Sequence, residues 1–165
     1  MTQASSKNYT PNFSPQNAFS SAWSFTRSLT TDLLNEMTES DLLFLPGPQL
    51  GPFWKQFRHV GRVQECYIEA LSTKKIEFTP DGKSYDQGPS KEWLQAYLQR
   101  LDDGMFELID KIDWDSEIDW FGEKVNLFEH MMRMESHETL HHGQWIVYMR
   151  LMNKTFPDSW IAWGL

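Results

Sequence analysis

Leu94, Leu98, Leu101, Met105, Leu108 and Ile112 recur at intervals of four, three, four, three and four. Only an α-helix puts such a series on one face, because positions three and four apart come round to the same side of a 3.6-residue turn. An apolar face must be buried against something, and the rest of the chain offers more helices. The stretch from about Gln16 to Ser40 carries Phe19, Trp23, Leu29, Leu33 and Met37 at broadly helical spacing. From about Gly51 to Thr73 there are two stripes: Phe53, Phe57, Val60, Tyr67 and Leu71 on one, Val63, Cys66 and Ala70 on the other. Two stripes predict a helix touched from two sides, as in a bundle. A last helix is expected from about Lys124 to Asn153.

Between these stretches the pattern breaks. PGPQLGP (Pro46 to Pro52), FTPDGKSYDQGPS (Phe78 to Ser90) and DWDSEIDWFGE (Asp113 to Glu123) are rich in turn formers or lack periodicity. They place irregular connections at roughly 41–50, 74–90 and 113–123. Two of these are long enough for a crossover instead of simple up-down neighbours. Ser90 is positioned to cap the third helix. No stretch alternates over a useful length; Ser72 to Thr79 could give one short strand at most. The expected fold class is all-α, a four-helix bundle with long connecting loops. Residues 1–15 are polar and read as a flexible N-terminal arm, with 16–165 as a single domain. The tail KTFPDSWIAWGL breaks at Pro157 and carries aromatics, either exposed or docked. Eight Trp and eleven Phe in 165 residues point to a bulky core or an aromatic-lined cavity.

Charge removes several function classes. The formal net charge is −8 and no basic run exists, so counterion release on nucleic acid and attraction to anionic membranes are both unexpected. No apolar run approaches the roughly 20 residues of a membrane span, and the first residues lack the apolar stretch of a secretory signal. A cytoplasmic location is expected. Cys66 is the single cysteine, so no intrachain disulfide forms, and it reads as a small buried hydrophobe.

The chemistry concentrates in His137-Glu138-Thr139-Leu140-His141. Residues four apart on a helix face the same way, so two imidazoles can reach one metal ion. The same five residues spell HExxH, the zinc-protease signature. That reading needs a third ligand downstream. Its extended form would put glycine at 144 and histidine at 147, where the chain has Gln144 and Val147. Its other form needs a later glutamate, and none follows Glu138. A third ligand must then lie upstream. His142 is about 100° round the helix from His141 and points away. His130 is about 10.5 Å along the axis from His137, too far for a shared ion. His59, on the stripe of Val63, Cys66 and Ala70, is the histidine left; its bland alternative is a boundary residue bonded to a carbonyl. Gln144 could order a ligand or only tie two helices, Tyr148 reads as core, and Glu138 meets solvent or a neighbouring helix unless it carries protons.

FRHVGRVQECYIEAL in the second helix and HETLHHGQWIVYMRL in the last resemble the DinB-like (DinB/YfiT) superfamily, read as metalloenzymes. That family typically shows a histidine early in helix two. Its last helix has two histidines four apart, followed by a Gly-Gln pair. The likeness covers about residues 16–165 and includes a tail like Pro157 to Trp160. It implies His59, His137 and His141 as metal ligands, a four-helix bundle and a homodimer. His142 stands where many members show arginine. Some relatives are thiol-dependent transferases or isomerases.

Three neutral imidazoles leave a divalent ion its full charge and an open position. Zinc or nickel is the expected cofactor, although imidazole also suits copper and iron. Two function classes follow. One is a metal-dependent hydrolase or thiol S-transferase acting on a small molecule. The other is a metal-binding or interaction module without catalysis. A cavity over the open position would favour the first.

Overall fold

A computed structural model of the chain describes residues 13–79 and 84–165. Four long helices form the bundle: α1 (Pro15–Glu36), α3 (Trp54–Thr73), α4 (Lys91–Ile109) and α5 (Leu127–Leu151). Two short ones, α2 (Glu39–Leu42) and α6 (Asp158–Ala162), sit in the first connection and the tail. Local chemistry sets their ends. Ser14 accepts from Asn17 N ahead of Pro15 at the start of α1, and Asn126 accepts from Glu129 N at the start of α5. Ser90 accepts from Trp93 N and caps α4, as its position predicted. Lys74 closes α3 in the left-handed region at φ 59°.

Cross-helix contacts give the topology. α1 packs on α4 and α5, and α3 packs on the same two, so α1 and α3 lie diagonally opposite. Trp23 bonds Asp102 and Lys91 bonds Asn35, which makes α1 and α4 antiparallel. Thr26 and Thr30 bond Glu135 and Glu138, so α1 and α5 run the same way. Gln64 bonds Asp102, and Gly61 meets Tyr97, so α3 and α4 are parallel. The order is up, down, down, up. Two consecutive parallel helices require a connection that travels the bundle's length, and residues 74–90 supply it. Its described part from Ser84 onward lies along α3, with Ser84 held by Glu65 and the Tyr85 carbonyl by Arg62.

Both stripes of α3 are buried, as two-sided packing requires. Phe53, Phe57 and Val60 join one core with Leu33, Tyr97, Trp145 and Trp160. Val63, Cys66, Tyr67, Ala70 and Leu71 join a second with Phe19, Trp23, Met105 and Met131. The tail docks through Trp160, which is buried and donates from Nε1 to the Leu29 carbonyl at 2.8 Å. Trp163 stays exposed.

Two expectations need correction. The 113–123 connection is not irregular throughout: β1 (Glu117–Trp120) and β2 (Glu123–Asn126) pair antiparallel, with Ile118 opposite Val125, both buried. Lys124 to Asn126 are therefore strand, and the last helix starts at Leu127. Lys75 bridges to Asp119 alongside β1, so the short extended segment expected within 72–79 exists as a single bridge. The first helix stops at Glu36, where Met37 turns extended and Thr38 opens a separate capped turn. Residues 1–12 of the expected arm, and 80–83 of the crossover, lie outside the described residues; Pro15 belongs to α1.

Candidate metal centre

His59 sits in the second turn of α3 and is exposed, a correction to its expected place with Val63 and Cys66, because that stripe goes under cover only further along the helix. His137 and His141 lie one turn apart in mid-α5, half-buried and buried. Because α3 and α5 are antiparallel neighbours, the three rings converge. Ring centres are 5.2 Å apart for His59–His137, 4.8 Å for His59–His141 and 4.7 Å for His137–His141. One nitrogen from each lies within 4.8 Å of the others. Around a four-coordinate ion at about 2.0–2.1 Å the nitrogens would stand about 3.4 Å apart. The rings need to draw in by roughly an ångström, which side-chain torsions supply without moving a helix. Among the described residues no fourth His, Cys, Asp or Glu joins the group.

The protonation states suit ligation. Burial, then the neighbouring His59 ring, holds His137 down to about 4. Burial with the other two rings does the same for His141. Burial and the Arg58 charge lower His59. All three rings are neutral at pH 7, the form that ligates.

His141 Nδ1 lies 3.0 Å from Gln56 Oε1. With Nδ1–H donating to that oxygen, Nε2 is free for an ion, the arrangement that fixes a ligating ring. Gln56 bonds Tyr148 in turn, whose hydroxyl donates to the Gly51 carbonyl at 2.7 Å. Gln144 also hydrogen-bonds His141. Tyr148 is core, as expected, and also the anchor of this chain of bonds. Gln56 was missed in the sequence because it carries no motif and meets His141 only through space.

The remaining histidines have structural work. His130 is buried between the Trp120 indole, which donates to Nδ1 at 3.0 Å, and the Tyr67 carbonyl, 3.0 Å from Nε2. His142 turns away from the triad onto Thr30 Oγ1 at 2.8 Å. Glu138, the acid of HExxH, also turns away, into the bundle. It is 1% exposed and pairs with Arg27 at 3.0 Å, while the Thr30 hydroxyl donates to its other oxygen. Arg27 Nε stands 3.2 Å from Asp102, which accepts from Gln64 and Trp23. Burial raises both Glu138 and Asp102 above the usual carboxylate range, against the pull of Arg27. This cluster ties all four long helices together, and it keeps Glu138 away from the triad.

A cavity of about 370 Å³ opens beside His59, lined also by Arg58, Arg62, Val63, Cys66 and Phe78. A larger one, about 440 Å³, lies between α1, α5 and the tail and contains none of the triad. Proximity to the histidines makes the smaller cavity the one relevant to chemistry there.

The up-down-down-up bundle that carries these histidines has counterparts among known proteins. The DinB superfamily model matches residues 22–145. The chain belongs to the DinB superfamily. Among solved structures, a DinB-like protein of Bacillus cereus superposes with a TM-score of 0.72 at 19% identity, over 86% of this chain and 95% of that one. The DinB-like protein YjoA of Bacillus subtilis gives 0.70 at 16%, over 86% and 96%. At those identities the likeness is one of fold. Among curated proteins, none matches the chain. No helix among the described residues is long and apolar enough to cross a membrane.

Proposed function

We propose that this DinB protein binds one divalent metal ion, zinc or nickel first, on His59, His137 and His141. We further propose that it acts on a small molecule as a metal-dependent hydrolase or thiol S-transferase. The observation that carries the reading is the convergence of three neutral imidazoles from two helices, with no fourth acidic or sulfur side chain closing the ligand set among the described residues and a cavity alongside. An ion held there brings the ionisation of water or of a thiol toward the neutral range. The protein's own part is to hold the three rings neutral, to orient His141 through Gln56, and to shelter the substrate against Val63, Cys66 and Phe78. Glu138 is engaged with Arg27 and takes no part.

Metal analysis of purified protein tests the first step: one equivalent is expected, and His137→Ala should abolish it with helicity retained. Full occupancy in that variant would refute the triad. An esterase and thiol-transfer panel on loaded protein tests the second; inactivity across it would favour the non-catalytic module.

A homodimer is proposed as well. The apolar residues Leu140, Val147 and Leu151 on α5, with Phe25 and Trp163 nearby in the fold, are exposed in the single chain. A 19.5 kDa particle by light scattering at micromolar concentration would count against it.

A further inference from the structure

The cavity beside the triad has an unusual charge for this chain. The protein carries a net −8, yet the only charged side chains lining the cavity, among the described residues, are Arg58 and Arg62. They are one helical turn apart on α3, so their side chains leave the same face with Cβ atoms about 5–6 Å apart. His59 lies between them in sequence and lines the same cavity.

The two guanidinium groups are held in different ways. Arg62 donates from Nη2 to the Tyr85 carbonyl at 2.8 Å, which fixes it against the crossover. Arg58 stacks over the Trp54 ring, its Cζ 4.8 Å from the ring centre. Among the described residues no carboxylate lies within ion-pair distance of Arg58. That differs from Arg27, which has two, and Arg133, which has Glu129. A stacked guanidinium presents its donor fork at a fixed angle, ready to take an anion in two parallel hydrogen bonds. Val63, Cys66 and Phe78 supply an apolar part of the lining, with Thr79 and His59 as its other polar members.

We infer that this cavity binds a small organic oxyanion, its acid group on Arg58 and Arg62 and its apolar body against Val63, Cys66 and Phe78, beside the three histidines. The inference rests on the proposed metal-centre reading and narrows its substrate to a small acid. Carboxylates and phosphate monoesters share this chemistry, since both accept two parallel hydrogen bonds from a guanidinium.

The test is calorimetric titration of zinc-loaded and metal-free protein with phenylacetate, phenyl phosphate and the neutral 2-phenylethanol. At least one of the two acids should bind about ten-fold tighter than the alcohol, as charge-assisted bonds to a fixed guanidinium imply. Which acid wins separates carboxylate from phosphate recognition. Arg58→Gln should remove most of that preference while metal stoichiometry stays at one, and Arg58→Lys should restore part of it. Circular dichroism of both variants checks that the fold is intact. Equal affinity for acids and alcohol overturns the inference, as does failure of both acids to bind at millimolar concentration. A preference that vanishes without zinc but survives in Arg58→Gln puts the anion on the metal and also overturns it. An acid preference in protein that takes up no metal would sink the three-histidine reading alone and leave the arginine site standing.

Discussion

Replacing Arg27 with methionine should expose how the buried charges of this bundle are balanced. Arg27 is 6% exposed and faces two carboxylates, Asp102 at 3.2 Å and Glu138 at 3.0 Å, with a 2.6 Å bond to Gln64 Oε1 as well. Without it, Asp102 keeps two donors, Gln64 and Trp23, but Glu138 keeps only the Thr30 hydroxyl. The folded variant must therefore hold about one proton more than the wild type on this cluster. Holding a carboxyl protonated at pH 7, against an ordinary value near 4.3, costs about 4 kcal/mol at 1.36 kcal/mol per pH unit. That agrees with the roughly 3–5 kcal/mol found on removing one partner of a buried pair. The sign follows from the raised folded-state pKa. The penalty is absent below the unfolded value and grows as pH rises, to about 1 kcal/mol at pH 5 and about 4 at pH 7. Urea unfolding followed by circular dichroism, with wild type and variant compared at each pH, measures it. Arg27→Met with Glu138→Gln should recover about half of the loss or more. A loss under 1 kcal/mol at pH 7, or the same loss at both pH values, would refute the reasoning.

Three further outcomes are expected. Gln56→Leu should weaken metal binding by about 10–100-fold, as loss of a bond that orients a ligating ring typically does, and unchanged affinity in a metal titration would remove Gln56 from the site. Gly61→Ala would put a Cβ 2.3 Å from Tyr97 Cε1. It should destabilise by about 1–3 kcal/mol despite the better helix former, with Tyr97→Leu relieving the clash in a double-mutant cycle. In metal-free protein, stability should fall as pH drops from about 6.5 toward 4, because burial holds His130 at about 4 while the unfolded chain takes up its proton earlier. Between pH 6.5 and 5 that single residue accounts for about 2 kcal/mol, and a flat urea midpoint over that range would contradict it.

The helices and the histidine pair on α5 were legible because both are written in short-range spacing. The series from Leu94 to Met105 gave α4, and Ser90 its cap, although the helix ends at Ile109, leaving Ile112 outside it and Leu108 exposed; the two stripes of α3 gave its double burial. The pair at 137 and 141 is a one-turn pattern. His59 was weaker on spacing alone and needed the family likeness. The hairpin was illegible for physical reasons. Each strand has four residues, too few for alternation to register. Its two-residue turn puts Phe121 at φ 51° and Gly122 at 98°. A turn with both central residues at positive φ usually announces itself by Asn-Gly or Asp-Gly, and phenylalanine there gives no signal. The burial of Glu138 was equally hidden, since its partner Arg27 lies on α1, over a hundred positions away.

The division of labour between α5 and the crossover bears on how such a protein diversifies. Two of the three candidate metal ligands sit on α5, locked by core packing, whereas part of the cavity wall, Phe78 and Thr79, comes from the connection after α3. Loops tolerate insertion and substitution that a packed helix does not. A lineage can therefore exchange what the cavity accepts by rewriting residues 74–90 while the metal chemistry is inherited intact. Related chains should differ most along that crossover, and a library confined to it should change substrate preference without loss of metal.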